Sequence, residues 1–190
     1  FGLSGLMTTY GRQHSNDAQA LVDLVLPFFR AHVAEQRQRL EDNPREWKEI
    51  KAAGKGQEST VKGKHGAWKI AVLESDNITL PGFLRAYMHV DVVVQRLASG
   101  HVNVITNQKK KINLAPIAAA VRDAEANRRN VDVAEADLVR PGRVDVLPMW
   151  FYDVMANTLQ NGGIKPQHIE PTSLSLDEIV AAVTAGLEQQ

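Results

Sequence analysis

The chain has 190 residues, with 22 basic and 22 acidic side chains and a formal net charge of zero, so it is long enough for one domain or two small subdomains and too neutral to work as a bulk polycation. The absence of cysteine excludes disulfides, thiolate nucleophiles, thiolate zinc sites and iron–sulfur clusters. No apolar run approaches the ~20 residues that span a bilayer and the N-terminal stretch is a poor signal peptide, so we expect a soluble, cytoplasmic protein without a membrane partner.

Residues 1–53 predict a helical N-terminal part. Residues 1–15 indicate an arm that packs on something or frays, and Ser15 or Asn16 then supplies a helix N-cap. Apolar residues recur at helical spacing from Leu21 to Val33. Because Pro27 lies inside this run, we expect either a kinked helix or two helices end to end. A second helix is expected from about Pro44 to Ala53.

The apolar stripes between Leu21 and Val33 form two adjacent lines, which look wider than a monomer of this size needs. The first line is Leu21, Val25, Phe28 and His32, and the second is Val22, Leu26, Phe29 and Val33. This width predicts a contact with a second copy or with a partner chain.

Residues 54–66, GKGQESTVKGKHG, carry three lysines and a histidine against one glutamate. We interpret them as a flexible, basic connection that separates the helical part from the rest. A loop rich in glycine and lysine also suggests phosphate binding, but its spacing matches neither the P-loop nor the dinucleotide fingerprint.

Residues 67–190 predict an α+β domain, so the fold class is a helical N-terminal part followed by a mainly antiparallel sheet of four to six strands covered by helices. Residues 67–74 alternate as a strand, and a hairpin joins the valine runs at 92–94 and 102–104 through Ala98–Gly100. A short helix is expected near 80–87, a longer one from Pro116, and two short strands at 149–152 and 158–160. Ser175 and Glu178 form a capping box before a final apolar-striped helix.

Polar side chains on and around this hairpin form the most site-like surface. The residues suited to phosphate or base contacts are Arg96, Ser99, His101, Asn103, Lys109, Lys110, Lys111 and Arg122. We expect them to lie near one another if the hairpin and the following helix pack in the usual right-handed way. The alternative is an ordinary solvated sheet face. Trp150, Phe151 and Tyr152 are candidates for base stacking or for the core.

Two further patterns have an ordinary structural alternative. Arg122, Glu125 and Arg129 fall on one outer line of the predicted helix, as in an intrahelical ion-pair ladder. The six histidines have no metal-ligand spacing, which leaves Glu74 and Asp76 as the carboxylate pair at the end of a predicted strand. Such a pair suits either a divalent cation or a common polar turn.

The segment VVVQRLASGHVNVITNQKKKINLAPIAAAVRDAE, about a fifth of the chain, resembles the C-terminal substrate-binding subdomain of DHH-type phosphoesterases. In that family a separate N-terminal domain carries the manganese-binding aspartates and the Asp-His-His motif. The resemblance implies that Arg96, Ser99 and His101 contact phosphate or a nucleotide. This sequence has no Asp-His-His motif and no Gly-rich, His-ending segment where the family has one, so the resemblance implies binding and leaves catalysis open.

Our first hypothesis is therefore a nucleotide- or nucleic-acid-binding module, such as the substrate-binding portion of a phosphoesterase, with a nucleotide or single-stranded nucleic acid as its partner. The first alternative is a non-catalytic assembly protein that acts through residues 21–33. The second alternative is a metal-dependent hydrolase that uses Glu74 and Asp76. The sequence names no cofactor.

Overall fold

The computed structural model describes residues 2–14, 17–163 and 168–190. The chain divides into two compact units, Phe1–Arg45 and Glu46–Gln190. The division therefore falls earlier than the boundary expected after residue 53.

The first unit is helical. Helix α1 spans Leu3–Gln13 and helix α2 spans Ala18–Arg37. A π-helical turn, Gln38–Asp42, leads into helix α3, Asn43–Ala52, whose first residues belong to this unit. Residues 3–13 of the predicted N-terminal arm form a helix, in keeping with the predicted helical N-terminal part.

Helix α2 runs through Pro27 without a break, so the expectation of two helices end to end is wrong. The predicted caps Ser15 and Asn16 lie outside the described residues. The described N-cap is Asp17, whose carboxylate accepts a hydrogen bond from the Ala20 backbone N–H at 2.9 Å. This bond satisfies one of the N–H groups that a helix start leaves without a partner.

The second unit contains one seven-stranded sheet in the order β1-β2-β3-β4-β7-β6-β5. Strands β2 and β3 are parallel and all other neighbours are antiparallel. The predicted α+β class is confirmed, with more strands than expected. The strands are β1 (Gly56–Lys62), β2 (Ala67–Glu74), β3 (Val92–Arg96), β4 (Val102–Thr106), β5 (Gly142–Val144), β6 (Leu147–Asp153) and β7 (Thr158–Asn161).

Strand β1 replaces the predicted flexible connection. It pairs with β2 from Gly56↔Leu73 to Lys62↔Ala67, and its Val61 is buried. The remaining positions face solvent or are half-buried, as in an edge strand, where lysine discourages further strand pairing. Residues 56–62 are therefore part of the sheet, and the expectation of a flexible connection is wrong for them.

Helices cover both faces of the sheet. Helices α5 (Leu114–Arg129) and α7 (Leu176–Glu188) pack over Val92, Val94 and the other residues of the larger core. Helix α4 (Leu80–Tyr87) and the end of α3 pack over Ala71, Leu73 and Val93 on the opposite face. Because alternate residues of β2 and β3 enter different cores, these strands are apolar on both faces. Their carboxyl ends present the polar side chains of Glu74, Gln95 and Arg96, and Lys69 stands near the start of β2.

The remaining helical segments lie in connections of the second unit. A 3-10 turn spans Gln108–Lys110 after β4, and the short helix α6 spans Glu135–Leu138 before β5. The predicted capping box of the final helix is confirmed: the Ser175 side chain accepts from the Glu178 N–H, and the Glu178 carboxylate accepts from the Ser175 N–H.

Candidate functional site

The structure separates the predicted phosphate-binding residues into four places. Arg96, Ser99 and His101 lie at the tip of the β3–β4 hairpin, where Leu97 N–H donates to the His101 carbonyl at 2.8 Å. The basic turn at 109–111 follows the other end of β4, beside Asp91, whose carbonyl accepts from Asn107 N–H at 2.7 Å. The five residues of β4 place about 17 Å between the two groups. The expectation that they lie together is wrong.

Arg122 lies in a third place, in the interior of the protein. The prediction that it falls on the outer side of helix α5 is therefore wrong. Its side chain has no solvent-exposed surface. The guanidinium donates to five backbone carbonyl oxygens, those of Asp137, Leu138, Arg140, Gly142 and Trp150. Burial, with a smaller contribution from the nearby Arg140 charge, lowers the pKa of Arg122 to about 10. Arg122 orders the connection around α6, and its guanidinium offers no surface to a phosphate.

Glu125 is likewise buried, not on an outer line. Its carboxylate accepts from Trp150 Nε1 at 3.2 Å, from Arg129 Nε at 2.6 Å and from the Ser173 N–H at 2.9 Å, and it also accepts from the Thr172 hydroxyl. Burial alone raises the pKa of Glu125, but these hydrogen bonds outweigh it and hold the pKa below its ordinary value. The group joins α5 to β6 and to the segment before α7.

The His101 ring is nearly buried and both of its nitrogens have partners. Nε2 lies 2.9 Å from the Ile169 carbonyl oxygen, which only accepts, so Nε2 carries a proton. Nδ1 lies 3.0 Å from the Ser99 hydroxyl oxygen. Both side chains therefore stabilise the hairpin tip, whose turn also uses Gly100 at a φ of +84°.

Asn103 points to the sheet face opposite α5 and α7, between its register partners Gln95 and Gln160. It is 5 % exposed, and its Oδ1 atom has no hydrogen-bond partner among the described residues. Asn103 and Arg96 thus lie on different faces of the sheet.

Of the three consecutive aromatics, Trp150 and Tyr152 belong to the core, whereas Phe151 is half-buried with the Arg143 guanidinium 5.4 Å from its ring centre.

One predicted residue, Arg96, lines a cavity of about 410 Å³ that we call the strand-end pocket. The pocket lies at the carboxyl ends of the two parallel strands, where Glu74 ends β2 and its register partner Arg96 ends β3. It is lined by Gly54, Lys55, Gly56, Gln57, Val72, Glu74, Arg96, Ser175, Leu176 and Asp177. Its volume falls in the range of small-molecule sites, about 300–1,000 Å³.

Three backbone features build this pocket. Ser75 N–H donates to the Arg96 carbonyl at 3.0 Å, which joins the two strand ends. Glu74 N–H donates to the Lys55 carbonyl at 2.9 Å, which brings the basic Gly54–Gly56 segment beside them. The first turn of α7 forms another wall, where the N–H groups of Leu176 and Asp177 have no acceptor within the helix.

The pocket combines two basic and two acidic side chains: Lys55, Arg96, Glu74 and Asp177. Within the described residues, none of the four is held in an ion pair. Cationic groups and helix-start N–H groups suit phosphate oxygens. Carboxylates beside them suit hydroxyl groups, since an ionised carboxylate only accepts hydrogen bonds. The pocket therefore fits a ligand that carries both phosphate and hydroxyl groups.

Glu74 and Asp76, the carboxylates of the alternative metal site, make different contacts. Asp76 accepts from the Ala98 N–H at 2.8 Å and so ties the loop after β2 to the hairpin tip, whereas Glu74 lines the pocket. Across residues 2–14, 17–163 and 168–190, no group of three or more His, Asp or Glu side chains is arranged to hold a metal ion. In the same ranges no helix is long and apolar enough to cross a membrane.

The sequence alone did not identify Lys55 or Asp177 as site residues. The composition of residues 54–66 predicts a flexible connection, whereas the position of Lys55 depends on the pairing of β1 with β2. Asp177 lies between Ser175 and Glu178 of the capping box, a pattern that predicts a helix start and gives no sign of a pocket. The sequence does contain the four segments that form the pocket: a Gly-Lys-Gly run, a carboxylate at one strand end, an arginine at another strand end, and a capped helix N-terminus. Only the fold brings these segments together.

Comparisons of this protein with protein-family models, with curated proteins and with solved structures found no match.

Proposed function

We propose that this protein is a nucleotide-binding module and that the strand-end pocket is its binding site. The observation that carries the proposal is the convergence of Lys55 and Arg96, neither held in an ion pair within the described residues, on a cavity at the start of α7. The carboxyl ends of parallel strands are where open α/β sheets commonly bind nucleotides, which supports the same assignment.

Each side chain of the pocket has a role in this proposal. Arg96 and Lys55 bind phosphate oxygens, with Arg96 able to use two parallel N–H groups. The N–H groups of Leu176 and Asp177 add hydrogen bonds to the same phosphate. Glu74 accepts from ribose hydroxyls, as acidic residues do in dinucleotide sites. The proposal assigns no catalytic step.

The test is calorimetric titration of the full chain with adenosine and guanosine mononucleotides and with short single-stranded RNA. We expect Arg96→Ala and Lys55→Ala to weaken nucleotide binding at least about 10-fold, because each removes a charge-assisted contact worth roughly 1.5–3 kcal/mol. Arg143→Ala is the matched control, since Arg143 lies in β5 at the opposite edge of the sheet. Its affinity should equal that of the wild type.

A Lys109/Lys110/Lys111→Ala variant separates the pocket from the basic turn. These lysines are exposed and distant from the pocket along β4, so the variant should bind mononucleotides normally. Loss of binding in this variant with full binding in Arg96→Ala would move the site to the turn and would refute the proposal. Binding of RNA without binding of mononucleotides would indicate a surface that tracks a nucleic-acid backbone instead.

A further inference from the structure

Helix α2 exposes apolar side chains along one face for most of its length. None of its 20 residues is buried among the residues that the structure describes. The exposed set is Val22 at 49 %, Leu26 at 39 %, Phe29 at 60 % and Val33 at 63 %. We call these four residues the α2 stripe.

The stripe is continuous along α2, and α1 borders it on one side through Met7. The 4-3-4 spacing of its residues places them within about 60° on the helix, as the a and d positions of a coiled coil do. One shallow groove lies on the α1 side and is lined by Met7, Leu21, Val22, Val25, Leu26 and Phe29. A second groove continues from Leu26 and Phe29 through Val33 to Arg37, on the other side. The stripe lies between these two grooves, and its exposed side chains are spaced like those of a coiled-coil seam.

Charged residues on the flank of the stripe point to a particular occupant. Asp23 follows Val22 and Arg30 follows Phe29, so both lie at the position after d, on the same side of the stripe. If a second α2 packs antiparallel, with Val22 against Val33 and Leu26 against Phe29, each Asp23 faces an Arg30 of the other copy. In a parallel pair in register, Arg30 faces Val25 and Asp23 faces Ala18, so neither charge is matched.

We infer that the α2 stripe is a self-association surface on which α2 of a second copy packs antiparallel. In this antiparallel pair the apolar residues of the two stripes interdigitate, and the flanking charges form two symmetric ion pairs. A two-fold interface of this kind is self-complementary by construction. The inference is independent of the proposed nucleotide site, because the two share no residue.

The interface is small. Four core residues per helix are fewer than the roughly 20–30 residues a side of a standard stable complex. We therefore expect a reversible dimer with a dissociation constant in roughly the micromolar range, in which Phe29, as the largest side chain of the stripe, carries most of the affinity.

Sedimentation equilibrium of the full chain over about 1–200 µM tests the surface. The wild type should sediment as a monomer–dimer equilibrium, and Phe29→Glu should raise the dissociation constant at least about 10-fold. Ala31→Glu is the matched control, since Ala31 lies half a turn away on the opposite side of the helix, and it should leave the constant unchanged. A wild-type chain that stays monomeric throughout this range would overturn the inference.

Charge exchange tests the orientation and the identity of the occupant. Asp23→Arg should weaken the dimer several-fold by placing arginine against arginine, and Asp23→Arg/Arg30→Asp should restore the wild-type constant within about threefold. A double variant that stays as weak as Asp23→Arg would exclude the antiparallel pair. Monomers that bind vesicles of anionic lipid through Phe29 would also overturn the inference, in favour of a membrane-surface helix. Circular dichroism verifies that each variant keeps its helix content.

Discussion

Two charged residues of α5, Arg122 and Glu125, are buried in the second unit and make several polar contacts there. Arg122 donates to backbone carbonyls of the α6 connection and of strands β5 and β6, and Glu125 accepts hydrogen bonds from three segments. Buried groups of this kind are stabilising only while every partner is present, because an unpaired buried charge is costly. Their substitution should therefore have large effects away from the binding pocket.

We predict that Glu125→Ala lowers the free energy of unfolding by about 3–5 kcal/mol, because it leaves Trp150 Nε1, Arg129 and Ser173 without their acceptor. Asp123→Ala is the control, since Asp123 is an exposed carboxylate on the same helix, and it should change stability by less than about 0.5 kcal/mol. Urea unfolding followed by tryptophan fluorescence measures both. Equal effects would show that the buried network contributes nothing specific.

The depressed pKa of Glu125 predicts how this contribution varies with pH. A carboxyl group whose pKa is lower in the folded state than its ordinary value of 4.5 contributes its full stabilisation above that value and loses it as the pH falls through the folded-state pKa. The difference in unfolding free energy between the wild type and Glu125→Gln should therefore be constant above about pH 6 and shrink below about pH 4.5. A difference that grows as the pH falls below about 4.5 would contradict a lowered pKa, because a raised pKa has that effect.

Arg122 supports a third prediction at this scale. Lysine keeps the charge but lacks the planar fork that serves five carbonyls, so Arg122→Lys should destabilise the chain by about 2–4 kcal/mol. Arg143→Lys, on an exposed side chain, is the control and should be neutral. A neutral Arg122→Lys would show that charge alone orders the α6 connection.

The sequence pattern could not place these residues correctly, and the reason is physical. Helical spacing groups Arg122, Glu125 and Arg129 on one line, but it does not tell which side of a helix faces the protein. Charge normally settles that question, since ionised side chains are almost never fully buried unless paired. Here the partners come from residues 137–142, 150 and 172–173, whose approach depends on the whole fold.

Among the elements, helices α5 and α7 approach each other closely at Gly186. A Cβ atom at Gly186 would lie 2.6 Å from the Ile117 Cα and 2.7 Å from the Ile117 nitrogen. We predict that Gly186→Ala lowers the melting temperature, because overpacking against a backbone costs about 1–3 kcal/mol and exceeds the helix-propensity gain of about 1 kcal/mol.

Gly82 is the matched control in α4, since a Cβ atom there would meet nothing within 4 Å. Gly82→Ala should raise the melting temperature through the same propensity gain. If both substitutions stabilise the chain, the close approach of the two helices is wrong.

Elements with a local signal were predictable from the sequence, and those defined by long-range pairing were not. Alternation identified β2, apolar runs identified the hairpin, and a capping box identified α7. Strand β1 was missed because its residues are mostly polar and only its pairing with β2 makes it a strand. Because the sequence pattern does not predict β1, it does not place Lys55 beside the strand ends, and the predicted site therefore lacks this residue.

At the scale of the whole molecule, the two proposed surfaces belong to different units of the chain. The α2 stripe lies in Phe1–Arg45 and the strand-end pocket in Glu46–Gln190. We therefore predict that Phe29→Glu weakens self-association without changing nucleotide affinity and that Arg96→Ala does the reverse. Sedimentation and calorimetry on both variants test this, and a variant that loses both properties would show that binding and assembly are coupled.

Chemical-shift mapping by nuclear magnetic resonance locates the ligand most directly. An ¹⁵N-labelled full chain is titrated with adenosine monophosphate, and inorganic phosphate is titrated separately as the comparison ligand. The account predicts saturable shifts of the Gly54, Gly56, Leu176 and Asp177 amides, with larger shifts for the nucleotide than for phosphate. Saturable shifts confined to residues 107–111, or no shifts at millimolar nucleotide, would contradict it.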